Sequence, residues 1–252
     1  MLEAKNEKKV LILGNKQYYN FKLDKIIDSF DIIYRFNLAY PGKNNGTKFG
    51  KLAMCSHVYE NFVKNNLSEE EIIYKYKNDC EVDFLKEWYS FFLQNKKNFD
   101  EIFYEKENNS GKWNEMLKDY GSPHRFTKVP STGYSTIFRL LLNNDSDLYV
   151  SGFTLYEQEQ RGTLGDSSGL ANRRAEEGNC HSFSDERNIL AWLHNNGKVD
   201  ASLCMLVDSE ELNLKKNVHN TQASEYIIKL LQEEKTWNCK VRFGVKPKTY
   251  LR

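Results

Sequence analysis

The chain has few cysteines, no long apolar run and almost no net charge, and each lack excludes a class of protein. Its five cysteines, Cys55, Cys80, Cys180, Cys204 and Cys239, are odd in number and far apart. They form no C-x2-C pair, which argues against a zinc site, and they read as thiols in a reducing compartment. No apolar stretch approaches the ~20 residues needed to span a bilayer. Met1 to Lys9 is charged and lacks the apolar centre of a signal peptide, so the chain reads as cytoplasmic. With 36 basic and 35 acidic residues the net charge is +1, which gives no global pull toward nucleic acid or membrane. No long basic tract or RNA-binding signature is present, so nucleic acid is not an expected partner. Gly14-Asn15-Lys16 is not the G-x-G-x-x-G of dinucleotide sites, which disfavours a nicotinamide-dependent oxidoreductase. An Asp-x-Asp of the metal–nucleotide kind is also missing. Asp145-Ser146-Asp147 is its nearest look-alike, but it precedes a strand pattern rather than following one. Asp28, Asp31 and Asp166 form no recognisable metal triad, so the expectation is metal-independent chemistry without a cofactor.

What is present suggests one large domain. At 252 residues, 40% of them hydrophobic, the chain can bury a substantial core. Val10 to Leu13 is a short apolar run ending in Gly14-Asn15, the mark of a buried parallel strand entering a loop. Asp31–Tyr34, leading into Arg35-Phe36-Asn37, reads as a second strand, and Lys51–His57 as a third. Ser68-Glu-Glu-Glu71 is a capping box, and Glu81 to Asn98 carries apolar residues at helical spacing. Together they suggest a helical lid or insertion at about 65–120, within which Glu105 to Ser122, polar and containing Gly111 and Gly121, reads as a loop. Tyr134–Leu142 is an amphipathic helix, Asp147–Gly152 a buried-type strand, and Ser184–Asn195 a further helix. Ser202–Val207 reads as a strand, Ala223–Glu234 as a helix and Cys239–Val245 as a final strand. Strands alternating with helices predict an α/β fold: a single Rossmann-like nucleotide-binding domain with a largely parallel sheet. Ligands on such sheets lie beyond the carboxyl ends of the strands. The polar, glycine-containing segment at about 158–180 has the composition of a functional loop.

Two stretches carry the chemistry. Pro130-Ser131-Thr132-Gly133 is a small-residue turn opening a helix, where unpaired N–H groups and hydroxyls face an anion. His181-Ser-Phe-Ser-Asp-Glu186 is a His-x4-Glu at another helix start, and histidine moves protons near neutral pH. An anion cradle with a proton acceptor suggests group transfer from an anionic donor.

Val10–Asn15 followed by Ser29–Asn37 is similar to the large sialylmotif, and Asn44-Asn-Gly46-Thr47-Lys48 to the segment that follows it. Pro130–Gly133, continued by Tyr149–Phe153, resembles the small motif, and His181-x4-Glu186 the very small one. Ser151-Gly-Phe-Thr-Leu-Tyr156 is similar to the Ser-Gly-hydrophobic-x-x-Tyr segment of bacterial sialyltransferases. In this order the islands resemble the sialyltransferases that use a CMP-activated sugar acid. The resemblance implies a variant of the GT-A glycosyltransferase fold. It also implies transfer of sialic acid, or a related ulosonic acid such as Kdo, from its CMP ester to an oligosaccharide or glycolipid acceptor of a bacterial surface glycan.

In that reading His181 is the general base and Tyr156 donates its phenol to the leaving phosphate. Gly14, Asn15, Arg35, Asn37, Ser131, Thr132, Gly133, Gly152 and Phe153 line the donor side. Single displacement with a histidine base gives an inverted product; a retaining route needs a carboxylate, for which Asp166 is the first candidate. Other readings stay open. Ser131–Gly133 also suits a routine helix cap, Asn15 and Asn37 suit turns, and Arg35 equally suits an internal carboxylate partner. Glu186 fits orientation or capping better than reaction. Lys16 after Asn15, and the lack of a second tyrosine soon after Tyr156, leave room for a degenerate nucleotide-binding or scaffolding module; Arg161, Arg173 or Arg174 could replace that tyrosine. The basic stretch Lys240 to Arg252, with five Lys/Arg and no acid, fits a solvated tail or a peripheral contact with the inner membrane.

Overall fold

The computed structural model describes residues 8–15, 23–39, 41–42, 45–78, 82–106, 109–143, 146–153, 181–205, 226–227 and 229–230. Five parallel strands form one sheet: β1 (Lys8–Leu13), β2 (Ile32–Phe36), β3 (Lys51–Met54), β4 (Glu101–Tyr104) and β5 (Ser146–Ser151), in the order β4-β3-β2-β1-β5. β1 lies in the middle of its neighbours, pairing Val10 with Ile32 on one side and Leu148 on the other. Its unbroken apolar run follows from that place, because both faces are covered. Val10 and Ile12 enter one core cluster, and Leu11 and Leu13 enter another on the opposite face. The crossover from β1 to β2 contains α1 (Asp24–Asp28), whose Ile26 and Ile27 are buried.

On the face of Val10 and Ile12 pack α5 (Ser110–Asp119), α6 (Thr132–Asn143) and α7 (Phe183–Asn195), through Trp113, Ile137, Phe138, Ile189 and Leu193. Leu52 and Met54 of β3 serve a third cluster beneath α2 (Ser56–Tyr59), the π-helical turn Glu60–Lys64 that continues it, α3 (Glu69–Tyr76) and α4 (Val82–Asn95). At its centre Trp88 lies 4.9 Å from Phe92 and 4.6 Å from Phe62, between ring centroids. The capping box opening α3 is formed as expected: Glu71 N–H donates to Ser68 Oγ, and Ser68 N–H to the Glu71 carboxylate. No helix of the described residues is long and apolar enough to cross a membrane.

Four details correct the sequence reading. Lys51–His57 is not one strand: β3 stops at Met54, where Cys55 N–H turns to Asn37 Oδ1 at 2.8 Å and a helix begins. The helical region expected at about 65–120 also contributes β4, a four-residue edge strand too short to stand out between the helices around it. Glu105 to Ser122 is not a loop, because Ser110–Asp119 is helical, capped by Asn109 Oδ1 and anchored by buried Trp113, Met116 and Leu117. That i, i+3, i+4 stripe outweighs the two glycines. Ser202 opens a 3-10 turn, Ser202–Met205, rather than a strand: Asp200 Oδ1 captures the Ser202 N–H, and among the described residues a single bridge, Tyr149 to Asp200, extends the sheet. Tyr226, Ile227, Lys229 and Leu230 are helical within the helix expected over Ala223–Glu234. The loop at about 158–180, Tyr156, the strand Cys239–Val245 and the basic stretch Lys240–Arg252 lie outside the described residues.

Candidate active site

The carboxyl ends of β1, β2 and β5 meet the N-terminus of α6, and most of the candidate residues lie there. Gly14 and Gly152 follow β1 and β5 and bring the two chains into contact. Gly14 N–H donates to Ser151 O at 2.7 Å. A Cβ on Gly14 would sit 2.5 Å from the Gly152 carbonyl oxygen, and Gly152 has a φ of +74°, so both positions need glycine. Next to them, a Cβ on Gly133 would lie 2.6 Å from the Phe153 ring. Phe153 packs edge-on to Phe36 at 6.0 Å and to Tyr134 at 5.5 Å. Segments at 14, 36, 133 and 153 are therefore one assembly.

Asn15 and Asn37 sit at the ends of β1 and β2. The Asn15 Oδ1 is buried without a hydrogen-bond partner among the described residues, an arrangement proteins rarely leave unfilled. Asn37 adopts the left-handed region at φ 51°, and its Oδ1 accepts from Cys55 N–H. Its Nδ2 forms no bond among the described residues. Burial pushes the neighbouring Cys55 thiol up to about 11, which keeps it protonated and unreactive.

Arg35 has no solvent exposure. It is occupied by backbone: Nε donates to Lys48 O and Phe49 O at 3.2 Å each, and a terminal nitrogen to Asn45 O at 2.8 Å and Lys48 O at 2.7 Å. Its other terminal nitrogen is buried and has no hydrogen-bond partner among the described residues. Burial lowers its pKa to about 10 while nearby Asp28 opposes the shift. Asp28 takes the N–H groups of Thr47 and Lys48 and the Thr47 hydroxyl. Arg35 and Asp28 together fold the segment 45–49 down against the sheet, and this is the role its bonds describe.

The second half of the site is a strap, residues 127–131, held by the segment that opens α7. Asp185 accepts from Thr127 N–H at 2.9 Å and from the Thr127 hydroxyl at 2.5 Å. His181 Nδ1 lies 2.7 Å from Val129 O. Glu186 Oε1 accepts from Ser131 N–H at 2.6 Å, and its Oε2 from the Ser131 hydroxyl at 3.2 Å. A carbonyl oxygen only accepts, so His181 carries its proton on Nδ1 and leaves the Nε2 lone pair available when neutral. The helix cap is supplied by Ser182, which accepts from Asp185 N–H, so Glu186 is not a cap.

Glu186 is 4% exposed. Burial raises its pKa to about 8, against the lowering effect of the two Ser131 bonds; Asp185 adds to the rise and Arg187 opposes it. Asp185 behaves oppositely. Partial burial would raise it, but the Thr127 hydroxyl and amide outweigh that and hold it below the usual range. Immediately after Ser131, α6 starts at Thr132, whose carbonyl accepts from Thr136 Oγ1 at 3.0 Å. The amides of Thr132, Gly133 and Tyr134 have no intrahelical acceptor, by the geometry of a helix start. The site thus offers a small-residue helix N-terminus, two loop asparagines, an aromatic wall at Phe153 and a histidine of fixed tautomer.

Thr127, Val129 and Asp185 were not singled out from the sequence. Their roles arise from contacts across more than fifty residues, and one of them is only a backbone carbonyl. Of the other histidines, His194 is buried with Nδ1 accepting from Ala201 N–H, and His57 stands beside Cys55 and Tyr76, outside this assembly.

No protein-family model matches the chain. No curated protein matches it by sequence. Among solved structures, the crystal structure of the monofunctional alpha-2,3-sialyltransferase Cst-I from Campylobacter jejuni is similar over 94% of this chain and 97% of that one, at 17% identity and a TM-score of 0.43. At that identity and score, no residue's role passes from it to this chain.

Proposed function

We propose that this chain is a glycosyltransferase that moves a sialic acid or related ulosonic acid from its CMP ester to a glycan hydroxyl. The carrying observation is convergence. The islands that resemble the sialylmotifs are scattered along the sequence, yet Gly14-Asn15, Phe36-Asn37, Ser131–Gly133 and Gly152-Phe153 meet at one sheet edge. His181 reaches the same strap that leads into the Ser131 turn.

In this reading the anionic donor lies at the N-terminus of α6. The orphan amides of its first turn and the helix dipole favour negative charge there. Asn15 Oδ1 and Asn37 Nδ2 supply hydrogen bonds on the nucleotide side. Arg35 acts behind them by holding the segment 45–49 rather than by touching the donor. The acceptor hydroxyl gives its proton to His181 Nε2 as its oxygen attacks the anomeric carbon. The bond to the phosphate oxygen breaks, and CMP departs with the electron pair. The phosphate gains charge as it leaves, so N–H and O–H donors aimed at it lower the barrier. Tyr156 keeps the leaving-group role given it by the resemblance. One displacement inverts the anomeric centre, with no metal required. The acceptor is an oligosaccharide or glycolipid, reached from the cytoplasmic side with peripheral membrane contact through Lys240–Arg252.

Thermal unfolding with CMP, UDP, GDP and NAD tests the donor class, since a ligand that binds only the folded state raises apparent stability. CMP should raise the midpoint with or without EDTA. Stronger stabilisation by UDP with manganese would refute the assignment.

A further inference from the structure

Asp185, His181 and Glu186 bond the strap 127–131 at every second residue: Thr127, Val129 and Ser131. Two of the three pins are carboxyl groups accepting backbone N–H groups, and the middle one is the imidazole. The strap then runs without a break into the first turn of α6. A displacement at Ser131 is therefore felt two residues away at the carbonyl that holds His181. Pro130 is buried between them, so the strap has little freedom to absorb the change.

From this geometry we infer that Glu186 is a positioning residue that ties the donor turn to the base. Its bonds to Ser131 fix the Val129 carbonyl, and that carbonyl fixes the tautomer and direction of the His181 ring. The inference rests on the function proposed above for its catalytic consequence, but not for its structural one. It also explains why a fully enclosed carboxyl stands beside an anion cradle. The charged groups that act on Glu186 are Asp185, which raises its pKa, and Arg187, which lowers it, and Glu186 in turn raises that of buried Tyr134. With its pKa raised to about 8, Glu186 is mostly uncharged near pH 7 and does not repel a donor phosphate or carboxylate.

Nitrogen-15 NMR of histidine-labelled protein reads the ring directly. The chain has five histidines, and His181→Gln assigns the signal. In the wild type at a pH where it is neutral, His181 should show one protonated nitrogen, Nδ1, and one bare nitrogen, Nε2. Glu186→Ala should give mixed tautomers and lower donor turnover by about 10²-fold, the scale of a small misplacement of a reacting group. Glu186→Gln should restore both, because its amide oxygen accepts from Ser131 N–H and its NH2 donates to the Ser131 hydroxyl. Should the alanine variant fail to fold, Glu186→Asp, one methylene shorter, reads the same loss. A wild-type tautomer signature in Glu186→Ala or Glu186→Asp overturns the inference. If the wild type releases no CMP from CMP-sialic acid or CMP-Kdo, the functional reading fails, and the NMR measurement alone still decides whether Glu186 positions the ring.

Discussion

Glu186→Gln should change folding stability by less than about 1 kcal/mol at pH 5 and should stabilise the protein by more at pH 8. The wild-type carboxyl is buried, with its pKa raised from 4.5 to about 8 by desolvation. A carboxyl whose folded pKa exceeds its unfolded value favours folding in its protonated form. Its contribution is complete below pH 4.5, falls as the unfolded chain ionises, and stops falling above about pH 8, where the folded form ionises too. Within that window the loss is about 1 kcal/mol per pH unit, which amounts to a few kcal/mol across it. Glutamine keeps the shape and both Ser131 bonds but cannot ionise, so it lacks this loss. Urea unfolding of both proteins at pH 5, 6, 7 and 8 measures it, and taking the difference removes every other titrating group. The variant should gain on the wild type by about 1 kcal/mol per pH unit. A difference independent of pH would show that the carboxyl is solvated or ionised in the fold, and one that falls with pH would reverse the reasoning.

Gly152→Ala would force a side chain onto a φ of +74° and against the Gly14 backbone, neither of which can relax without parting β1 from β5. It should cost about 1–3 kcal/mol in urea unfolding and weaken CMP binding; unchanged stability would mean the two strands do not meet as described. Arg35→Met leaves the carbonyls of Asn45, Lys48 and Phe49 without their buried donor. A loss of about 3 kcal/mol or more is expected, with lysine a poor rescue because it lacks the planar fork; a loss below about 1 kcal/mol would return Arg35 to the list of ligand contacts.

The scaffold was legible where local signals and burial agree. The run Val10–Leu13 announces a strand covered on both faces, and Ser68–Glu71 announces a helix start; both are as read. β4 was not legible because it is only four residues long, and α5 because its outer face is polar. In α5 only Trp113, Met116 and Leu117 carry the helical period, with Gly111 obscuring its start. Ser202–Met205 misled because a 3-10 turn buries Leu203 and Cys204 as completely as a strand would. The site divides in the same way. Glycines 14, 133 and 152 are visible as motif positions, but their mutual contact is tertiary. Arg35 could be read from sequence as a ligand or as an internal partner; it makes bonds to backbone carbonyls that no side-chain pattern reveals. Likewise the spacing of His181 and Glu186 says nothing of a strap fifty residues earlier, to which both are bonded.

Release of CMP from CMP-sialic acid and CMP-Kdo, with a glycan acceptor present and with His181→Ala beside the wild type, tests the central claim most directly. The wild type should release CMP from at least one donor without metal and give an inverted product. General-base catalysis is worth about 10²–10⁴-fold, so His181→Ala should lower transfer by that factor while leaving CMP affinity nearly intact. Equal turnover by the wild type and His181→Ala, or no release from either donor by the folded wild type, would contradict the account.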